Sequence, residues 1–134
     1  MKKTDIAWAA GLFDGEGSVI YTNPKDRPNP RIQLTLSMTD KNAVEKFQAI
    51  VGTGSIITFH YNKEKGYLRQ WKWSVEKGTD VAKTIKLLGP YLVTKKPAIN
   101  KALGNWHRKF NVDKSRNWKF LLAKTKEIMP NDIK

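Results

Sequence analysis

Residues 5 to 14, DIAWAAGLFD, constrain this chain more than any other stretch. They follow Thr4, a residue type that opens helices as an N-cap, and hydrophobic side chains occupy nearly every face of the helix they predict. Ala7, Ala10 and Gly11 recur at spacings of three and four, so one side of that helix is almost bare backbone. A second helix can approach such a side closely. If that helix comes from another copy of the chain, the contact is a two-fold interface.

The glycine-punctuated Gly15-Glu16-Gly17 ends this helix, and a strand follows from Ser18, SVIYTN. The segment PKDRPNP, with three prolines, is a turn. Arg31 to Thr39 then alternates: Ile32, Leu34, Leu36 and Met38 share one face, while Arg31, Gln33, Thr35, Ser37 and Thr39 share the other. Asp40 caps a helix with Val44, Phe47 and Ile50 on one face, stopped by Gly52 and Gly54. A second hairpin runs from Ser55 to Tyr61 and from Leu68 to Val75, with Trp71 and Trp73 opposite Gln70 and Lys72. Thr79-Asp80 opens another helix, a further one runs from Pro97 to about Lys109, and Ser115 opens the last, over about 115–129. The order predicts an α+β fold: one four-stranded antiparallel sheet with its helices on one face and the other face open.

With 134 residues and 40% hydrophobic content, the chain suits one domain spanning 1–134. No apolar run is long enough for a membrane span, and Met1 to Asp5 leads into a mixed segment instead of a signal-peptide core, so an intracellular, non-secreted protein is expected. Zero cysteines exclude disulfides, thiol catalysis and thiolate metal sites. The two histidines, His60 and His107, lack a metal-ligand spacing, which leaves carboxylates as the candidate ligands. No phosphate-cradling glycine loop is present, because the glycines of GEG follow a helix instead of preceding one, and no organic cofactor is expected. The formal charge is +13, denser in residues 93–134 (net +8) than in 1–92 (net +5). A polyanion gains from counterion release on such a protein, and nucleic acid is the default partner; a membrane surface would ask for a basic amphipathic helix or lipid anchor, which the N-terminal sequence does not offer.

Asp14 and Glu16 admit two readings from spacing alone. They can cap a turn among glycines, which is the simpler account. Alternatively, two copies meeting along the small-residue side would gather up to four carboxylates, a cluster that hard cations such as Mg²⁺ neutralise.

Ala9 to Gly17, AAGLFDGEG, resembles the LAGLIDADG signature of homing endonucleases, with Ala9 for the first leucine, Phe13 for the isoleucine, Gly15 for the second alanine and Glu16 for the final acid. The element order is similar to that family's αββαββα core over about residues 5 to 110. The resemblance implies a single-motif, homodimeric DNA endonuclease that binds a long, partly palindromic duplex and hydrolyses one phosphodiester per strand with Mg²⁺ (or Mn²⁺). It implies that Glu16 is the metal ligand from each subunit, assisted by the Gly15 carbonyl, with Asp14 near the catalytic centre and Ala7, Ala10, Gly11 and Asp14 at the dimer interface. Lys95, with Lys96 as the neighbouring candidate, matches the basic residue that supports the water network or the developing phosphate charge; Pro97 departs from the expected pattern there. A non-cleaving nucleic-acid-binding protein of the same fold, such as an intron maturase or transcription regulator, is the alternative.

By the same resemblance the open sheet face reads DNA through Gln33, Thr35, Ser37 and Thr39 and through Gln70 and Lys72, since Gln and Lys pair with purine edges in the major groove. Arg31, Arg27 and Lys25 are placed for backbone contacts, and Lys96 is a further DNA contact. Trp71 and Trp73 could serve as base-stacking platforms, but their alternation with polar residues favours the core.

Overall fold

The computed structural model describes residues 2–23, 30–59, 64–66 and 68–113. The expected turn with Lys25 and Arg27, His60 and the helix over 115–129 lie outside the described residues, as does the side chain of His107.

Helix α1 spans Lys3–Glu16, strands β1 and β2 span Gly17–Thr22 and Arg31–Met38, and α2 spans Lys41–Val51. Strands β3 (Ser55–Phe59) and β4 (Gln70–Val75), helix α3 (Gly78–Leu88), a single 3₁₀ turn at Gly89–Tyr91 and helix α4 (Lys96–Asp113) complete the order. The fold is α+β, with one open four-stranded antiparallel sheet in the order β1-β2-β4-β3. Each hairpin therefore turns one strand to the sheet's centre and one to its edge. The two inner strands pair with each other, Leu36 opposite Trp73 and Ser37 opposite Lys72.

Capping chemistry sets several boundaries. Asp40 accepts a hydrogen bond from Ala43 N–H at 3.2 Å and starts α2, which ends where Gly52 adopts φ 78° and donates to the Gln48 carbonyl at 2.8 Å. Thr4, by contrast, lies inside α1: the cap position is Lys2, and no side chain caps it. Lys77 likewise precedes α3, so Thr79-Asp80 falls in its first turn. Gly15 and Glu16 belong to α1, which stops at Gly17 for want of space. A Cβ there would lie 2.5 Å from the Phe13 ring, so only glycine lets β1 leave over that side chain. Thr39 sits at a bend just beyond β2, and Leu68 and Arg69 precede β4.

The described helices all pack on one face of the sheet. From α1 come Ala9, Ala10 and Phe13, from α2 Val44, Phe47, Ile50 and Val51, from α3 Val81, Ile85 and Leu88, and from α4 Ile99, Leu103 and Trp106, all buried against Ile32, Leu34, Leu36, Trp73 and Val75. Trp73 is wholly buried, its ring edge-on to Phe47 at 4.8 Å and 77°, and its indole N–H donates to the Thr53 carbonyl at 2.8 Å. Phe13 also stacks on Phe47, centroids 6.3 Å apart. The tryptophan alternation on β4 is thus a core alternation, with Trp71 packed at the margin of the same cluster.

Candidate functional site

Two features meet at the far end of α1. The first is a network around Asp14. One carboxylate oxygen accepts a hydrogen bond from Val93 N–H and the other from Lys95 N–H, each at 2.9 Å. Lys95 in turn gives its carbonyl to Ile99 N–H at 3.0 Å, the first bond of α4. A carboxylate is thus bonded to the cap residue of α4, where the helix dipole favours negative charge. Pro97 falls in the first turn of that helix, where its missing N–H loses no bond. Both Asp14 oxygens are engaged in tying α1 to α4, so Asp14 positions its neighbours.

The second feature is Glu16, the last residue of α1, exposed and paired with no described residue. As a hard oxygen donor left free at the helix end beside the Gly15 carbonyl, it fits a divalent cation. Among the described residues no three acidic or histidine side chains gather in one copy. A single chain therefore offers one free carboxylate at this point, and a full cation shell needs donors from elsewhere.

The side of α1 carrying Ala7, Gly11 and Gly15 is exposed, and a Cβ built at Gly11 or Gly15 would meet no atom within 4 Å. Ala10 does not belong to it. It is fully buried beside Ala9 and Phe13, because the 100° step from Ala10 to Gly11 crosses the border between core and surface. The segment held by Asp14 adds exposed apolar surface next to this side, with Val93 at 75% and Tyr91 at 39% exposure. Nothing in the sequence distinguished these two from buried residues, since their exposure follows from how the turn before α4 is held.

The open sheet face collects the residues expected to read a ligand. Register puts Gln33, Thr35 and Ser37 of β2 on the same face as Gln70 and Lys72 of β4, opposite the core. Thr35 is only 6% exposed, hemmed in at the sheet's centre between Ser18 and Ser74. Thr39 is exposed but off the strand. Arg31 forms a 3.8 Å ion pair with Glu76 across the sheet's end, both side chains about half exposed. Lys96 opens α4 next to Lys95. Three further exposed side chains escaped the alternation: Ile20, Ile57 and Phe59 lie on this same face. In SVIYT and SIITF both faces are apolar, so periodicity alone cannot say which side is buried.

An open four-stranded antiparallel sheet with the described helices on one face is the fold of the LAGLIDADG endonucleases. The chain belongs to the LAGLIDADG endonuclease family, whose model matches residues 9–107. Solved structures share the architecture. The homing endonuclease I-CvuI in complex with its target superimposes with a TM-score of 0.60 at 20% identity, covering 94% of this chain and 82% of that one. The archaeal intron-encoded homing endonuclease I-Vdi141I complexed with DNA gives 0.57 at 11% identity, covering 96% and 98%. The meganuclease I-AabMI bound to uncleaved DNA gives 0.63 at 19% identity, with 96% of this chain spanning 50% of that one. No match was found among curated proteins. Among the described residues no helix is long and apolar enough to cross a membrane.

Proposed function

We propose that two copies of this chain associate along the exposed side of α1 and together hydrolyse one phosphodiester in each strand of a long, partly palindromic DNA duplex. The observation that carries this reading is the division of labour at the end of α1: Asp14 is consumed by backbone bonds while Glu16, two residues on, is left free. A turn-capping role would have engaged both acids. The neighbouring exposed surface, Ala7, Gly11 and Gly15 with Tyr91 and Val93, has the small and apolar character of a close helix contact, and a second copy brings a second Glu16.

The Glu16 pair, with Gly15 carbonyls, would hold Mg²⁺ or Mn²⁺, which when bound supplies charge neutralisation and lowers the pKa of attacking water. The remaining work belongs to the chain. Lys95, fixed at the start of α4 by Asp14, offsets negative charge developing on the phosphate. The open sheet, on a chain of net charge +13, lies along the major groove and fixes which phosphates face the acids. Each cut adds water across one P–O bond, so no covalent enzyme intermediate is needed.

The test is Glu16→Gln in a cleavage assay on a duplex selected from a randomised library. Loss of Mg²⁺-dependent cutting with binding unchanged is the expected result, since the amide keeps the shape and removes the charge. Undiminished cutting would remove Glu16 from the site.

A further inference from the structure

On each hairpin a glutamine of the inner strand stands directly opposite a large exposed apolar side chain of the edge strand. Gln33 is opposite Ile20 and Gln70 opposite Phe59, with Ile20 39% and Phe59 41% exposed. Soluble proteins usually blunt edge strands with charge, so apolar residues at both margins of one face call for a ligand. The strand order separates the two by the width of the sheet, roughly 14 Å at about 4.8 Å per strand. Ile57, 53% exposed, adjoins Phe59 on β3, but Ile20 lies across the sheet from both, so the apolar side chains flank a polar centre instead of joining in one patch of the kind a protein partner would cover. Between them lie Gln33, Gln70 and Lys72 on a chain of net charge +13, which suits a polyanion.

In the major groove an A·T pair shows the adenine N6 and N7 pattern that a glutamine amide satisfies, and beside it the C5-methyl of thymine, which takes apolar contact. Opposed side chains on paired strands begin about 4.5–5.5 Å apart, close enough to engage the two halves of one base pair. We infer that Gln33 with Ile20, and Gln70 with Phe59, are two composite readers, each recognising one A·T pair by adenine hydrogen bonding and thymine-methyl contact together. This rests on the DNA-binding reading above and adds to it which base pair each hairpin selects and by which atoms.

Deoxyuridine substitution tests it, because it removes the C5-methyl and leaves pairing intact. In a duplex selected for binding from a randomised library, thymines are replaced one at a time. At one position per half-site for each reader, binding weakens about fourfold, the worth of one buried methyl group. Phe59→Ala abolishes the thymine preference at its own position and leaves it at the Ile20 position; Ile20→Ala does the reverse. Phe59→Thr, which keeps strand propensity, gives the same result if the alanine variant folds poorly. Sequence-selective binding that is indifferent to every deoxyuridine overturns the composite readers while leaving DNA binding standing, as does a Phe59→Ala variant that loses affinity equally for both bases. Failure to bind any duplex overturns both.

Discussion

Asp14 and Lys95 stand eighty-one residues apart in the chain, yet the Asp14 carboxylate accepts a hydrogen bond from the Lys95 backbone N–H at 2.9 Å. With the matching bond from Val93, this carboxylate makes the end of α1 and the start of α4 a single unit. A motif acid and a basic residue that the sequence offered as separate participants are one arrangement, in which the acid holds the place of the base.

Asp14→Asn should therefore act on position more than on chemistry. The amide nitrogen cannot accept, so one backbone N–H loses its partner and the other loses charge assistance, at a cost of about 2 kcal/mol. Urea denaturation is expected to show that loss. Cleavage should fall while DNA affinity stays near that of the parent protein, and an unchanged midpoint would show that the two bonds contribute nothing.

Gly11→Leu separates folding from association. Gly11 is exposed with open space around its Cα, and replacing glycine within a helix gains up to about 1 kcal/mol of helix propensity. Monomer stability should hold or rise. Sedimentation velocity is expected to show a parent dimer and a Gly11→Leu monomer; a variant that remains dimeric would place the contact elsewhere.

Gly17→Ala tests the exit from α1. Its Cβ would press on the Phe13 ring at 2.5 Å and on the Phe13 carbonyl oxygen at 2.6 Å, so the backbone at the helix end would have to shift. Overpacking of this kind costs about 1–3 kcal/mol. Thermal melting should drop accordingly, and a melting temperature equal to the parent's would mean that the helix end relaxes freely.

Glu76→Gln should release Arg31 from its surface ion pair. Exposed pairs contribute at most about 1 kcal/mol, so stability should scarcely change. If Arg31 then neutralises a phosphate, the slope of log K against log salt steepens by about one. Equal slopes in filter-binding titrations would show that Arg31 makes no backbone contact.

The division between what was legible in the chain and what was not follows the range of the interactions. Local rules sufficed for the elements: the β2 alternation from Ile32 to Met38, the Asp40 cap and the glycine after α2 are each set within a few residues, and the motif from Ala9 to Gly17 is contiguous. Boundaries drifted at Thr4 and Thr79, both exposed and both taken into helices that no side chain caps. The burial of Ala10 and the exposure of Ile20, Ile57 and Phe59 depend on which faces the helices cover, and the burial of Thr35 on the inner pairing of β2 with β4. The partnership of Asp14 with Lys95 depends on the same packing. The sequence by itself determined the periodicity of each segment and the acids at the end of the first helix. Only the tertiary structure decided which acid is spent on the backbone and which is free, because that choice is made by a turn more than seventy residues away that packing alone brings alongside.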